Sequence, residues 1–526
     1  MKLKYITALF AGMVLMLSSC TDDFKKFNTD ETGFPDDKQV IDYNSMGIAM
    51  KVVQQGIYFN YDWGEGPNWP WQTYQNLNAD MYAGYFAPNT EFGQGQNSNI
   101  YYNFNDGWCS KGWEYTFGYI MPQVKRAEEL TITDYPQFYA MTKILKVELM
   151  HRITDMYGPI IYTDFGKITG SKPESQKDVY YSFFEDLDEA YSRLIAHIDQ
   201  NPDEKVKFDY ILSAKSYTQW VKFCNSLRLR LAVRIYMADP TKATSEIQKA
   251  LTAKYGLFEK ADDIAQMVCT SESAYQNPLA TISGGWGNAF MGANMQSILS
   301  GYNDPRIEKY FLPTTKKGFP TYAGVRLGIN LSSIYKYDVF SRAYAVSTSP
   351  AILMTPAEVW LLRAEVALRG LSSENAETCY NNGVKASFDQ WGCANADTYL
   401  QSTNVPAAYV DPENAENNIA ATSTTTPKWG GTPEQMLEKI ITQKWIAAYP
   451  EGCEAWAEFR RTGYPKLLPI KINNSNGIIP IGETPNRLPF PISIHSNELY
   501  DQVKALLEKG TDNAFTPLWW DTGRNF

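Results

Sequence analysis

The sequence predicts a mainly α-helical chain whose helices are interrupted by long loop-rich insertions. Three observations lead there. Apolar residues recur at steps of three and four from about 136 to 256, and again within 354–392 and 432–462. Those runs are bracketed by helix start and stop signals. The stretches at about 60–115 and 260–350 lose the period and fill with Gly, Pro, Asn and aromatic residues.

The first residues read as a targeting segment. Lys2 and Lys4 form a positive end, and Ile6 to Leu17 is an apolar run too short to span a bilayer. Leu17-Ser18-Ser19-Cys20 then resembles the lipobox of bacterial lipoproteins. This predicts a signal peptide over 1–19, lipidation at Cys20 and a polar tether over 20–40. Thr21-Asp22-Asp23 resembles a surface-export signal, with a plain solvated linker as the competing reading. Residues 41–526 are expected to form a single domain.

Within that domain a helical segment is expected at about 41–60 and another near 72–86. From 136, Phe138, Met141, Leu145, Leu149, Ile153 and Met156 form one stripe that Gly158-Pro159 ends. Further helices are expected from about Asp178 to Ile198, from Ser213 to Ala238, and on to about Lys254. Thr355-Pro356-Ala357-Glu358 reads as a capping box with Pro at the first helical position. Gly370 marks that helix's end, and a partner follows at about 373–388. After a polar insertion at 394–431, Thr432-Pro433-Glu434-Gln435 is a second capping box. Gly452 sets off a short helix carrying Trp456 and Phe459, and the Pro-rich tail holds one helix near 496–509. Eight helices in about four αα-hairpins indicate tetratricopeptide-like units presenting a loop-rich, ligand-binding face.

Composition narrows the chemistry. A net charge of −10 argues against nucleic acid, which requires basic surfaces. The six cysteines after Cys20 form no CxxC, and His151, His197 and His495 have no metal-ligand spacing. No G-x-S-x-G, H-E-x-x-H, phosphate-loop or D-x-D-x-D-G pattern occurs, so neither a cofactor nor a metal is expected.

Aromatics are in excess, with 35 Tyr and 14 Trp. Sugar rings stack their C–H faces on indole and phenol, while neighbouring amides serve the hydroxyls. Two loop regions hold that mixture: Trp69 to Trp113 with Asn103, Asn105 and Asp106, and Trp286 to Tyr337 with Asn288, Asn294, Tyr302 and Tyr322. The candidate ligand-binding residues are Trp286, Trp108, Trp71 and Tyr302, each with core packing as the competing reading. Trp286 leads because Gly284, Gly285 and Gly287 flank it.

Several segments together are similar to the SusD/RagB-like family of surface nutrient-binding lipoproteins, in its SusD-like branch. They are Asn303-Asp304-Pro305-Arg306, the helix from Thr355 to Glu365, Tyr380 to Ser387, Gln443-Lys444-Trp445, Glu454-Ala455-Trp456, Arg460-Arg461-Thr462-Gly463-Tyr464-Pro465 and Asn486-Arg487-Leu488-Pro489-Phe490-Pro491. Gln75-Asn76-Leu77-Asn78-Ala79-Asp80 matches more loosely. The resemblance implies an outer-membrane protein, lipid-anchored and facing the cell exterior. It implies a glycan ligand, no catalysis, and delivery to a SusC-like TonB-dependent transporter. The alternatives are a surface glycoside hydrolase and a binder of peptides or other oligomers. Glu358, Arg363, Glu365, Arg460 and Arg461 are expected in buried ion pairs rather than an acid–base site, and Trp445 and Trp456 in the core.

Overall fold

The computed structural model describes residues 44–59, 68–92, 95–167, 170–212, 215–271, 276–331 and 336–526. The segments expected to be a signal peptide and a tether, with Cys20 and Trp63, lie outside them. Contacts divide the chain into Met1–Ile48 and Ala49–Phe526. Of the first unit only 44–48 are described, as the opening turn of α1 (Asn44–Ile57).

The second unit is built on two runs of helices. The first comprises α2 (Met121–Thr131), α3 (Pro136–Tyr157), α4 (Gln176–Gln200), α5 (Tyr217–Ile235) and α6 (Pro240–Thr252), each packed on the next. The second comprises α7 (Pro356–Leu368), α8 (Ala376–Gln390), α9 (Pro433–Ala447) and α10 (Gly452–Thr462). Helix α7 packs on both α8 and α9, and it touches α5, which joins the two runs. The expected hairpins are thus α3–α4, α5–α6, α7–α8 and α9–α10. The tail holds α11 (Glu498–Ala505).

The local signals work as chemistry predicts, with one exception. Thr432 accepts from the backbone N–H of Gln435 while Gln435 reaches back to Thr432, a complete capping box. At α7 only half of the box forms: Thr355 caps Glu358, but the Glu358 carboxylate turns away to take both nitrogens of Arg230 at 2.7 Å. A buried guanidinium outbids a backbone amide for that carboxylate. Helix α7 ends in a Schellman motif, with Gly370 at φ +73° and Leu371 N–H donating to Val366 at 3.0 Å. The helix expected near 72–86 forms as a short α-turn (Trp69–Trp71) running into a π-helix (Gln72–Asp80).

Helix α3 is buried almost all round, and its inward residues include Glu148, Arg152 and Asp155. Charges in such a place must be paired. Arg230 of α5 bridges Glu358 and Glu148 at 2.7 and 3.3 Å. Arg234 joins Asp155 of α3 to Glu454 and Glu458 of α10, at 2.9, 2.7 and 3.1 Å. Lys444 of α9 holds Glu454 at 2.8 Å, and Arg461 holds both Glu458 and Glu365 at 2.8 and 2.7 Å. One network therefore ties α3, α5, α7, α9 and α10. Arg363 pairs Glu374 and Glu259 nearer the surface. Arg460 departs from the expected pattern. It stacks on Trp456, 3.7 Å from the ring centroid, and donates to the carbonyls of Trp456, Asp155 and Asn486. Burial outweighs the opposing pull of Asp155 and Asp521, with which it forms no ion pair, and lowers its pKa to about 9.

The remaining motifs are also structural. Arg306 is fully buried; it takes Asp304 in a fork and reaches Ser387 on α8 at 2.9 Å and Gln443 on α9 at 3.0 Å. Arg487 donates twice to the carbonyl of Tyr157, at 3.1 and 2.8 Å, closing the C-terminus of α3. Trp445 and Trp456 are core residues, and the six cysteines after Cys20 are free.

Asp80 is fully buried, with Gln75 donating to it at 3.0 Å and no basic group within ion-pairing distance among the described residues. Burial pushes its carboxyl well above the usual carboxylate range. Its neutral form thus stabilises the fold at low pH, and that contribution is lost as pH rises through the raised value. Asp80→Asn keeps the neutral shape. It removes the cost of keeping a proton on Asp80 and is expected to raise stability at pH 7 by about 1 kcal/mol or more, with a flatter decline in melting temperature as pH rises above 3.8. Thermal unfolding at several pH values checks both.

The two loop regions are stitched together. Strand β1 (Phe86–Ala87) comes from the first, and β2 (Ala265–Met267) and β3 (Phe290–Met291) come from the second. β1 pairs antiparallel with β3, Phe86 opposite Met291, while β2 pairs with β4 (Ala351–Met354) at the entrance to α7.

Candidate binding face

Trp286 stands on a short helix that the periodicity did not reveal. Asn277 caps the N–H of Leu279 at 2.9 Å, and Pro278 occupies the first helical position. The turn Pro278–Ala280 then widens into a π-helix, Thr281–Gly285, and the Trp286 N–H closes it on the Thr281 carbonyl at 2.9 Å. Single π-turns are frequent at functional positions. Gly287 takes φ +66°, which releases the chain from the helix. A β-carbon added at Gly284 or Gly287 would meet nothing within 4 Å. The indole is therefore not walled in, and Trp286 is 42 % exposed.

Residues 341–344 run beside this turn as an extended segment. Ser341 and Ala343 point inward, and Arg342 and Tyr344 share the outer side, as period-two geometry requires. The segment is fixed on both flanks: Ala343 N–H donates to Ala289 at 3.0 Å and Tyr344 N–H to Tyr310 at 2.9 Å. Ser283 Oγ donates to the Ala343 carbonyl at 2.6 Å, which sets the π-turn against the segment. Tyr344 is 54 % exposed. Arg342 is half-buried; its Nη1 donates to the Ser283 carbonyl at 3.4 Å, and no carboxylate lies within ion-pairing distance among the described residues. Two exposed aromatic residues and a guanidinium with no carboxylate partner among the described residues thus sit on hydrogen-bonded backbone. Such a set suits a ligand with C–H patches and hydroxyl or carboxylate oxygens.

The other three expected ligand residues are turned inward, which corrects that expectation for this structure. Trp71, 1 % exposed, packs near Tyr58. Trp108 joins Leu77, Met81, Ile100 and Tyr101 in an apolar cluster, edge-on to Phe92. Tyr302, 2 % exposed, donates its hydroxyl to the Thr425 carbonyl at 3.1 Å. Each lies on the inner side of a helical turn, where burying a large ring outweighs presenting it. Asn105 caps a short helix, and Asp106 accepts from the Ile492 N–H at 2.8 Å. Sequence reasoning missed Arg342 and Tyr344; the small–large alternation of Ser341-Arg342-Ala343-Tyr344 was the available signal. Among the described residues, no cluster of His, Cys, Asp or Glu could hold a metal ion, and no helix is long and apolar enough to cross a membrane.

Fold and face together define a helical-hairpin scaffold with inserted loops that present an aromatic surface. The chain belongs to the SusD-like family, Susd and RagB outer membrane lipoproteins, whose family model matches residues 26–521. A SusD homolog from Bacteroides vulgatus is similar at 43 % identity and TM-score 0.88, covering 92 % of this chain and 100 % of its own. A chitin-binding SusD homolog from Flavobacterium johnsoniae is 39 % identical with TM-score 0.86, covering 91 % and 99 %. A SusD homolog from Bacteroides uniformis is 33 % identical with TM-score 0.81, covering 91 % and 99 %. No curated protein matches the chain.

Proposed function

We propose that this protein captures a glycan on the Trp286–Tyr344 face and hands it, uncleaved, to a SusC-like TonB-dependent transporter. The observation that carries this reading is the exposed indole of Trp286, on a turn bonded through Ser283 to the segment that carries Arg342 and Tyr344. The 39 %-identical chitin-binding relative makes N-acetylglucosamine oligomers the first ligands to try. The buried carboxylates of Glu148, Glu358, Glu365, Glu454 and Glu458 are spent in ion pairs inside the helical scaffold, which supports binding over hydrolysis. Calorimetric titration with a panel of soluble oligosaccharides and peptides, followed by chromatography of the ligand, tests the reading. Saturable binding of a glycan with full recovery of its length is expected. Shorter products would establish a glycoside hydrolase instead, and binding of peptides alone would replace the glycan.

Cys20 as the lipidated residue, and an outward orientation, belong to the same proposal. Lipid anchoring confines the protein and its transporter to one plane and raises their effective concentration. Cys20→Ala is expected to move the protein from the membrane fraction to the soluble fraction. Gentle solubilisation of the wild type is expected to co-purify a large barrel in comparable amount. A Cys20→Ala protein that stays in carbonate-washed membranes contradicts the anchor. A tagged wild type recovered alone contradicts the partnership.

A further inference from the structure

A second cavity lies in the helical scaffold, built by residues the binding face does not use. Its volume is about 310 Å³, and it opens between α7, α8 and the segment before β2. Trp360 forms its wall. The indole N–H donates to the Glu259 carbonyl at 3.2 Å, and the Arg363 guanidinium stacks 3.8 Å from the ring centroid. Arg363 is in turn held by Glu259 and Glu374. The ring is thus locked at one edge and one face before any ligand arrives, and such preorganisation lowers the cost of binding. Ile264 and Pro356 extend the apolar wall, and Asn382, Asp389 and Gln390 line the cavity from α8. None of these three side chains has a hydrogen-bonding partner among the described residues, and Asn382, half-buried, and Asp389, exposed, are open to solvent.

We infer that this cavity is a second saccharide subsite, taking one or two neutral sugar rings against Trp360 with their hydroxyls on Asn382, Asp389 and Gln390. The stacked indole supplies the C–H contact and the α8 side chains supply both donors and acceptors. A volume of about 310 Å³ limits the occupant to a ring or two. The inference rests on the glycan reading only for the class of molecule that reaches the protein. Its geometry is independent of Trp286. It gives the scaffold a role besides support: a long polymer would be held at two points, and effective concentration would raise its avidity above that of either site.

The test uses the full mature chain labelled with 5-fluorotryptophan. The fluorine resonances of Trp360 and Trp286 are assigned from Trp360→Phe and Trp286→Phe. The probes are N,N′-diacetylchitobiose, cellobiose and maltose. A saturable shift of the Trp360 resonance with at least one of them is expected, and it should persist in Trp286→Ala. Asn382→Ala with Gln390→Ala should weaken that response about tenfold, in keeping with two lost hydrogen bonds, without moving the Trp286 response. Ala386→Phe, which fills the cavity from α8, should abolish it. A Trp360 resonance that stays still while Trp286 saturates overturns this inference and leaves the glycan reading standing. A Trp360 shift with a silent Trp286 supports this site and counts against the face. Silence at both with all three probes overturns the subsite.

Discussion

Arg230→Met is expected to destabilise the protein by about 3–5 kcal/mol, because it strips one partner from a buried charge network. Arg230 holds Glu358 with two nitrogens at 2.7 Å, Glu148 at 3.3 Å and the Leu353 carbonyl at 2.8 Å. Burial already raises the Glu148 carboxyl to about 7, against the pull of Arg230 and Arg152. Without Arg230 it should be protonated at neutral pH, and among the described residues Glu358 should keep Lys444, at 3.8 Å, as its remaining cation. The loss is a large share of the roughly 5–15 kcal/mol that holds a typical domain together. Urea denaturation should show an earlier midpoint with an unchanged slope. The double substitution Arg230→Met with Glu358→Leu should recover much of the loss, since well-packed apolar residues replace buried ion pairs at little cost. The network also sets the acid limit. Burial alone would raise Glu454, but Arg234, Lys444 and Arg230 together hold it well below the usual carboxylate range. Its contribution is present above its ordinary value of 4.5 and lost as pH falls towards the depressed one.

Trp286→Ala is expected to weaken glycan binding by about 1–3 kcal/mol, the scale of an aromatic stacking face. Tyr344→Ala should cost less, and the two losses should couple if one ligand spans both rings. Stability should hardly move, because the indole is 42 % exposed and the flanking glycines place no side chain against it. Affinity and melting temperature therefore separate. Calorimetry on a proven ligand, beside thermal unfolding of the same samples, reads the two effects independently. Equal affinity in the variant would remove Trp286 from the site.

The helical scaffold was legible because its signals are local. The stripe from Phe138 to Met156, the caps at Thr355 and Thr432 and the stop at Gly370 each act within a turn or two. The family motifs were legible as ion-pair anchors because arginines and glutamates on apolar helices must pair once buried. Arg460 escaped that reading because its partners are backbone carbonyls and the Trp456 ring, which leave no mark in residue type. The binding face was legible only through Trp286. Trp71, Trp108 and Tyr302 sit in the same mixture of aromatic and amide residues without the three glycines that flank Trp286, and tertiary packing turns them inward. Arg342 and Tyr344 belong to an extended segment whose neighbours, Ala289 and Tyr310, lie tens of residues away in sequence. No window in the sequence could show that this segment bonds to the turn that carries Trp286.

The central claim is capture without cleavage on the Trp286–Tyr344 face. A crystal structure with an oligosaccharide that binds by calorimetry tests it most directly. An intact chain with one sugar ring flat on the Trp286 indole, and Arg342 in hydrogen-bonding reach of its oxygens, is the expected result. A bound ligand that leaves Trp286 bare, or fragments in place of the intact chain, would contradict it.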